Sequence, residues 1–284
     1  MLPMPLIRAA RLPLMLIAVL AVAACGAAGG RTAADLPPPE VVARYGPVQD
    51  GEWLIPAVNP GYLTGTNARA EVAYDQPDPP GTIVVDPHAR VLYLVQEGGR
   101  AIRYGIAVGR EGYGFTGSAT IRRKAVWPPW TPTANMIRRD PALYGPVAGG
   151  LPGGIENPLG ARALYLYRGG RDTHYRIHGT NNISTVGRAT SAGCIRLFNQ
   201  DILDLYGRTP IGTPVRVRSL AQSIAAEGEL VENERGRMVP LASFPEDVQA
   251  QIRAGNIPWP KFEAMTGIAP GAETAGQGPQ GAGT

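Results

Sequence analysis

Three histidines, His88, His174 and His178, and two cysteines, Cys25 and Cys194, occur in the chain of 284 residues, so the search for a nucleophile and its base is short. Two stretches stand out. One is His178-Gly179-Thr180-Asn181. The other, sixteen residues after that histidine, is Cys194 within Ser191-Ala192-Gly193-Cys194-Ile195-Arg196-Leu197. A thiolate attacks carbonyl carbon, and a glycine beside it lets a substrate backbone pass close. The N–H groups of Gly193 and Cys194 would face the developing oxyanion. His178, with an ordinary pKa of ~6.5, suits both withdrawal of the thiol proton and its return to a leaving amine. The Gly179 carbonyl would orient the ring, with Ser191 and Thr180 as other candidates. Arg196 is a permanently charged fork that could hold a substrate carboxylate or an ion pair behind the loop. A lone cysteine is more often a small buried hydrophobe. Here it sits in a glycine-rich loop of a chain whose start reads as an export signal, where idle thiols are uncommon.

The paired stretches resemble the catalytic domain of the L,D-transpeptidases, the YkuD or ErfK family. The resemblance covers roughly residues 80–218 and takes in the segments 81–86, 104–109 and 212–215. It departs at Ala192, where many members carry histidine, so the base is assigned to His178. The resemblance implies a mainly β domain, an L,D-transpeptidase-like sandwich or barrel with one or two short helices, and no metal or cofactor. It also implies acyl transfer on peptidoglycan stem peptides. Cys194 would attack the carbonyl of the third stem residue and the terminal D-Ala would leave. The acyl group would pass to an amine, either a diaminopimelate side chain in a 3–3 cross-link or a lysine of an anchored lipoprotein. Two rivals are a hydrolase on the same fold (an L,D-carboxypeptidase or a peptidoglycan–lipoprotein amidase) and a catalytically silent peptidoglycan-binding module.

Other candidates rank lower. His174 and His178 stand four apart, which on a helix would suggest a metal pair. On a strand, 174, 176 and 178 share a face. No third ligand cluster accompanies them, so no metal is expected, and His174 either lines the cleft or is exposed. Trp127-Pro128-Pro129-Trp130 could wall the cleft, with Trp130 against a stem peptide. Tyr113 and Tyr144 are similar candidates.

Several elements must position these groups. Residues 82–86 and 91–95 read as a hairpin about the turn 87–90, followed by a third strand over 101–108. Residues 110–160 read as a long loop system with short strands. Strands follow at 164–167 and 175–178, then a helix over 199–206 capped by Asn199, then a strand at 214–217. Ser243 caps a further short helix to Arg253, with Pro245 in its first turn.

The flanks carry an address rather than chemistry. Arg8 and Arg11 precede the apolar run 12–24, which is too short to span a bilayer. Val22-Ala23-Ala24-Cys25 resembles a lipobox, so residues 1–25 read as a lipoprotein-type signal peptide and Cys25 as the lipidated residue. Several acyl chains on one residue anchor stably. The chain is expected to be exported to the periplasm and held at the outer membrane. An ordinary signal peptide is the alternative. Residues 26–80 read as a linker and packing arm, with Trp53, Leu54, Ile55 and Tyr62 docking it. Residues 81–218 are the catalytic domain and 219–284 a C-terminal extension, disordered from about 267. Net charge is +4, and no long Lys/Arg run marks a nucleic-acid surface.

Overall fold

The structure, a computed structural model, describes residues 37–109, 115–190, 194–233 and 236–256. The arm contributes α1 (Pro39–Arg44), a hairpin of β1 (Val48–Asp50) and β2 (Trp53–Ile55), and β3 (Ala70–Ala73). Next come β4 (Ile83–Asp86), β5 (Val91–Gln96), β6 (Arg100–Gly105), β7 (Ala107–Gly109) and β8 (Gly117–Val126). Two short helices follow, α2 (Ala134–Arg139) and α3 (Pro141–Tyr144). Then come β9 (Arg162–Arg168), β10 (Arg171–His178), β11 (Ala189–Thr190), β12 (Ile195–Arg196), α4 (Asn199–Arg208) and β13 (Pro214–Val217). The chain continues through α5 (Leu220–Glu227), the hairpin β14 (Leu230–Glu232) and β15 (Met238–Pro240), and α6 (Glu246–Arg253).

The mainly β expectation holds. One large mixed sheet runs β11-β7-β12-β10-β9-β8-β13-β4-β5-β6-β3. Its β4 residues are β-branched and buried on both faces: Ile83 and Val85 enter the main core, Val84 a second cluster with Val91 and Tyr93. The turn after β4 is closed by the buried Asp86 carboxylate, which accepts the N–H groups of His88 (3.1 Å) and Ala89 (2.8 Å). The same carboxylate accepts Ser223 Oγ–H and Arg218, so the turn also docks α5. On the site side of the core, Leu164, Leu166, Ile177 and Ile195 pack against Ile202 and Leu205 of α4.

Four local expectations change. The stretch 110–160 contains β8, a strand of ten residues. A register shift between Ile121 and Arg123 interrupts its alternation, which hides the strand from a periodicity argument. Asn199 is not the cap of α4: Phe198 holds that position, and the Asn199 side chain is buried and used elsewhere. Ser243 caps nothing, since its hydroxyl donates to the Pro240 carbonyl, and α6 starts after Pro245. Of the four arm residues expected to dock, Ile55 is buried but Leu54 is 59% exposed. The arm is also held by Tyr45, which packs edge-on against Phe198 and donates its hydroxyl to the buried Asp201. The expected disorder from about 267 lies outside the described residues.

Candidate active site

Strand pairing assembles the site. β10 and β12 run parallel, with Ile177 opposite Ile195 and His178 opposite Arg196. Ile177 and Ile195 enter the core, so His178 and Arg196 share the other face. Cys194, partly buried, immediately precedes β12. The Leu197 N–H donates to the His178 carbonyl (2.9 Å), which fixes the start of the segment after the cysteine.

His178 is 4% exposed, and its Nδ1–H donates to the Gly179 carbonyl at 2.6 Å. A carbonyl only accepts, so Nδ1 carries the proton and Nε2 is the basic nitrogen of the neutral ring. Burial, then the Arg196 charge, push the imidazole pKa down to about 3. The backbone of Gly179 and Leu159 opposes that shift, and Arg176 adds to it. The ring is therefore neutral at ordinary pH, ready to accept a proton.

The turn after His178 is held by a clamp that the sequence argument missed. Asn199 Oδ1 accepts the Ala161 N–H (2.9 Å), and Asn199 Nδ2 donates to the Thr180 carbonyl (3.1 Å). Gly179 N–H donates to the Arg162 carbonyl (3.1 Å). A Cβ on Gly179 would collide with Asn199 Oδ1, so only glycine leaves room for the amide. The only sequence signal for the clamp is an asparagine five residues past the cysteine, which equally suits a helix cap. Thr180 is buried, and its hydroxyl accepts the Asn182 N–H (3.0 Å).

Arg196 lies beside the thiol. Burial lowers its pKa, while the nearby Cys194 and Tyr144 push the other way. Its Nε and Nη2 are buried and lack a hydrogen-bond partner among the described residues. An unpaired buried donor is costly unless a ligand completes it.

The segment that brings Tyr144 there is tied to the arm. Asp50 accepts both Nη1–H (2.6 Å) and Nη2–H (2.8 Å) of Arg162, and also Trp127 Nε1–H (2.9 Å). Trp53 packs on Trp127 with ring centres 5.8 Å apart. Trp130 pairs its backbone with Leu151, closing the neck of the 131–150 segment, and its ring packs against Tyr144 at 6.3 Å. His174 is exposed and adopts φ 61° at the irregularity between Asp172 and Arg176, so the shared-face reading of 174, 176 and 178 fails. Ser191, Gly193, Tyr113 and Cys25 lie outside the described residues.

No group of three or more His, Cys, Asp or Glu among the described residues could hold a metal ion. A cavity of about 170 Å³ among Thr64–Asn67, Ala89, Arg90, Gly187 and Arg237–Val239 does not touch His178, Cys194 or Arg196.

Comparison with known proteins gives the following. The family model described as "L,D-transpeptidase catalytic domain" matches residues 80–217. The "Probable L,D-transpeptidase YbiS" of Escherichia coli K12 is 33% identical over 151 residues, 52% of this chain and 47% of the relative. The "Probable L,D-transpeptidase ErfK/SrfK" of the same strain is 35% identical over 140 residues, 48% of this chain and 43% of the relative. The chain thus spans about half the length of these curated relatives. A crystal structure from Brucella melitensis, described as a probable carnitine operon oxidoreductase, is 49% identical over 54% of this chain and 94% of that one, with a TM-score of 0.39. Superposition at that level carries no weight for function.

Proposed function

Since residues 80–217 belong to the L,D-transpeptidase catalytic domain family, we propose that this chain transfers acyl groups between peptidoglycan stem peptides through a Cys194 thioester. The observation that carries the proposal is the arrangement around the thiol. A neutral imidazole stands opposite a guanidinium whose Nε and Nη2 lack a hydrogen-bond partner among the described residues. His178 Nε2 accepts the Cys194 proton as sulfur attacks the carbonyl of the third stem residue. The N–H groups of Gly193 and Cys194 receive the oxyanion. His178 returns the proton to the departing D-Ala amine. An acceptor amine then gives up a proton to His178, attacks the thioester and releases the thiol. Arg196 holds a donor carboxylate beside the scissile bond, and Trp130 and Tyr144 face the stem from the 131–150 segment. Gly179 orients the base. Ser191, Thr180 and His174 are the further residues assigned to substrate contact.

The same proposal covers the cellular setting. Residues 1–25 direct export, Cys25 carries lipid, and the enzyme works in the periplasm at the outer membrane on a cross-linking amine or a lipoprotein lysine. No helix among the described residues is long and apolar enough to cross a membrane. Metabolic labelling with a fatty-acid analogue should mark the wild type and not Cys25→Ala, and an unlabelled wild type would remove the lipid anchor. The activity is tested by mass spectrometry of purified tetrapeptide muropeptides after incubation with the protein. Cross-linked dimers are expected. Trimmed tripeptides alone would make the protein a hydrolase, and unchanged substrate would make it a binding module.

A further inference from the structure

The sheet face that carries His178 and Arg196 continues away from the thiol into a second cluster. Arg176 lies two residues before His178 on β10, so both point away from the core that receives Ile177. Arg176 pairs across the sheet with Tyr165 of β9, and Tyr165 pairs in turn with Arg123 of β8. The Tyr165 ring is held between the two guanidiniums, each with its central carbon 4.3 Å from the ring centre. Tyr165 is only 8% exposed, whereas Arg123 is exposed.

The two arginines are differently engaged. Asp172 accepts both Nη1–H (2.7 Å) and Nη2–H (2.8 Å) of Arg176. Arg123 makes no ion pair among the described residues and lies over the tyrosine face. A guanidinium stacked on an aromatic ring has lost much of its freedom already, while its N–H edge stays available to a planar anion. Strands lie about 4.8 Å apart and residues two apart on a strand about 6.6 Å. Arg176 and Arg123 therefore stand about two and about four extended peptide residues from His178.

We propose that the Arg123–Tyr165–Arg176 stack is a carboxylate subsite that docks a free carboxylate of the stem peptide and selects acidic stems over amidated ones. It rests on the acyl-transfer reading above. The carboxylate can come from the donor stem or from the acceptor stem, and the chemistry of recognition is the same.

The test uses the full chain carrying Cys194→Ala, which cannot turn over. It is titrated with a stem tetrapeptide whose internal carboxyls are free and with the same peptide amidated. The free acid should bind about tenfold tighter, as a charge-assisted contact to a preset guanidinium allows. The ratio should fall close to one when Arg123→Gln is added and stay intermediate with Arg123→Lys, which keeps charge without the planar fork. A ratio near one in the parent, a ratio undiminished by Arg123→Gln, or no binding of either peptide overturns the subsite. With wild-type protein, a free-acid preference in acylation assigns the carboxylate to the donor, and a preference only in aminolysis assigns it to the acceptor. If the ratio holds in the titration but wild-type protein never gains an acyl group, the subsite stands and the acyl-transfer reading falls.

Discussion

His178 and Arg196 are direct partners across the parallel β10–β12 pair, a base candidate and a guanidinium side by side on one sheet face. The relationship adds to the effect of burial on the imidazole. Burial first, and then a positive charge one strand away, keep the imidazole neutral. The resting imidazole is then neutral, and it takes up a proton as sulfur attacks.

His178→Ala should therefore cost donor acylation roughly a hundredfold at neutral pH, the usual scale of a general base. Alkylation of Cys194 by a neutral reagent should recover at high pH, where hydroxide removes the thiol proton. Rates of both reactions against pH check this; superimposable wild-type and mutant profiles would mean that the imidazole does not act on the sulfur.

The same ring has a stability signature. Its folded pKa lies below the unfolded value of ~6.5, so the unfolded chain takes up a proton first. Its contribution to stability is complete above about pH 6.5 and is lost as pH falls toward 3. Asp201 has the opposite sign. Burial raises its pKa to about 7, so its contribution is full below about pH 4 and is lost as pH rises through 7. Asp201→Asn should gain on the wild type in melting temperature as pH rises from about 4 to 8, and His178→Gln should gain as pH falls below about 6. Thermal melts across that range test both signs.

Arg196 separates function from stability. Its Nε and Nη2 make no hydrogen bond among the described residues, so removing the side chain breaks little of the scaffold. Arg196→Met should leave the melting temperature unchanged or raise it. It should slow donor acylation about ten- to a hundredfold, for a charge-assisted contact of roughly 1.5–3 kcal/mol. Arg196→Lys should recover part of the rate. A lowered melting temperature with equal losses toward tetrapeptide and a neutral alkylating reagent would make Arg196 a scaffold residue.

Asp50 ties the arm to the site. Asp50→Ala leaves the half-buried Arg162 without its bidentate partner and frees Trp127 Nε1. A loss of about 1–3 kcal/mol in denaturant unfolding is expected, discounted from the fully buried case because both side chains are partly exposed. The neck at Trp130–Leu151 should also become more open to proteolysis. An unaltered unfolding midpoint would show that the arm rests on the domain without bracing it.

Much of this architecture was legible in the residues. Ile83-Val84-Val85 is β-branched, Val91–Val95 is mostly aliphatic, a Pro-containing turn lies between them, and they form the hairpin as expected. The His178 and Cys194 stretches stood out because so few titratable nucleophiles exist in the chain. What stayed hidden is what tertiary contact decides. Asn199 is a plausible cap in sequence, but its side chain is spent on Ala161 and Thr180 in space. Periodicity could not find β8 through the bulge at Ile121–Arg123. Nothing in sequence links Asp50 to Arg162, which stand 112 positions apart. His174 shows the reverse: an alternation rule fails where the backbone turns to φ 61°.

The most direct measurement is the intact mass of the protein during reaction with a tetrapeptide donor. The account predicts a covalent adduct equal to the donor minus D-Ala, mapped to Cys194 and discharged by an added amine. Cys194→Ala should fold like the wild type and neither gain the adduct nor release D-Ala. Release of D-Ala by Cys194→Ala at a rate comparable to wild type would contradict the thioester account.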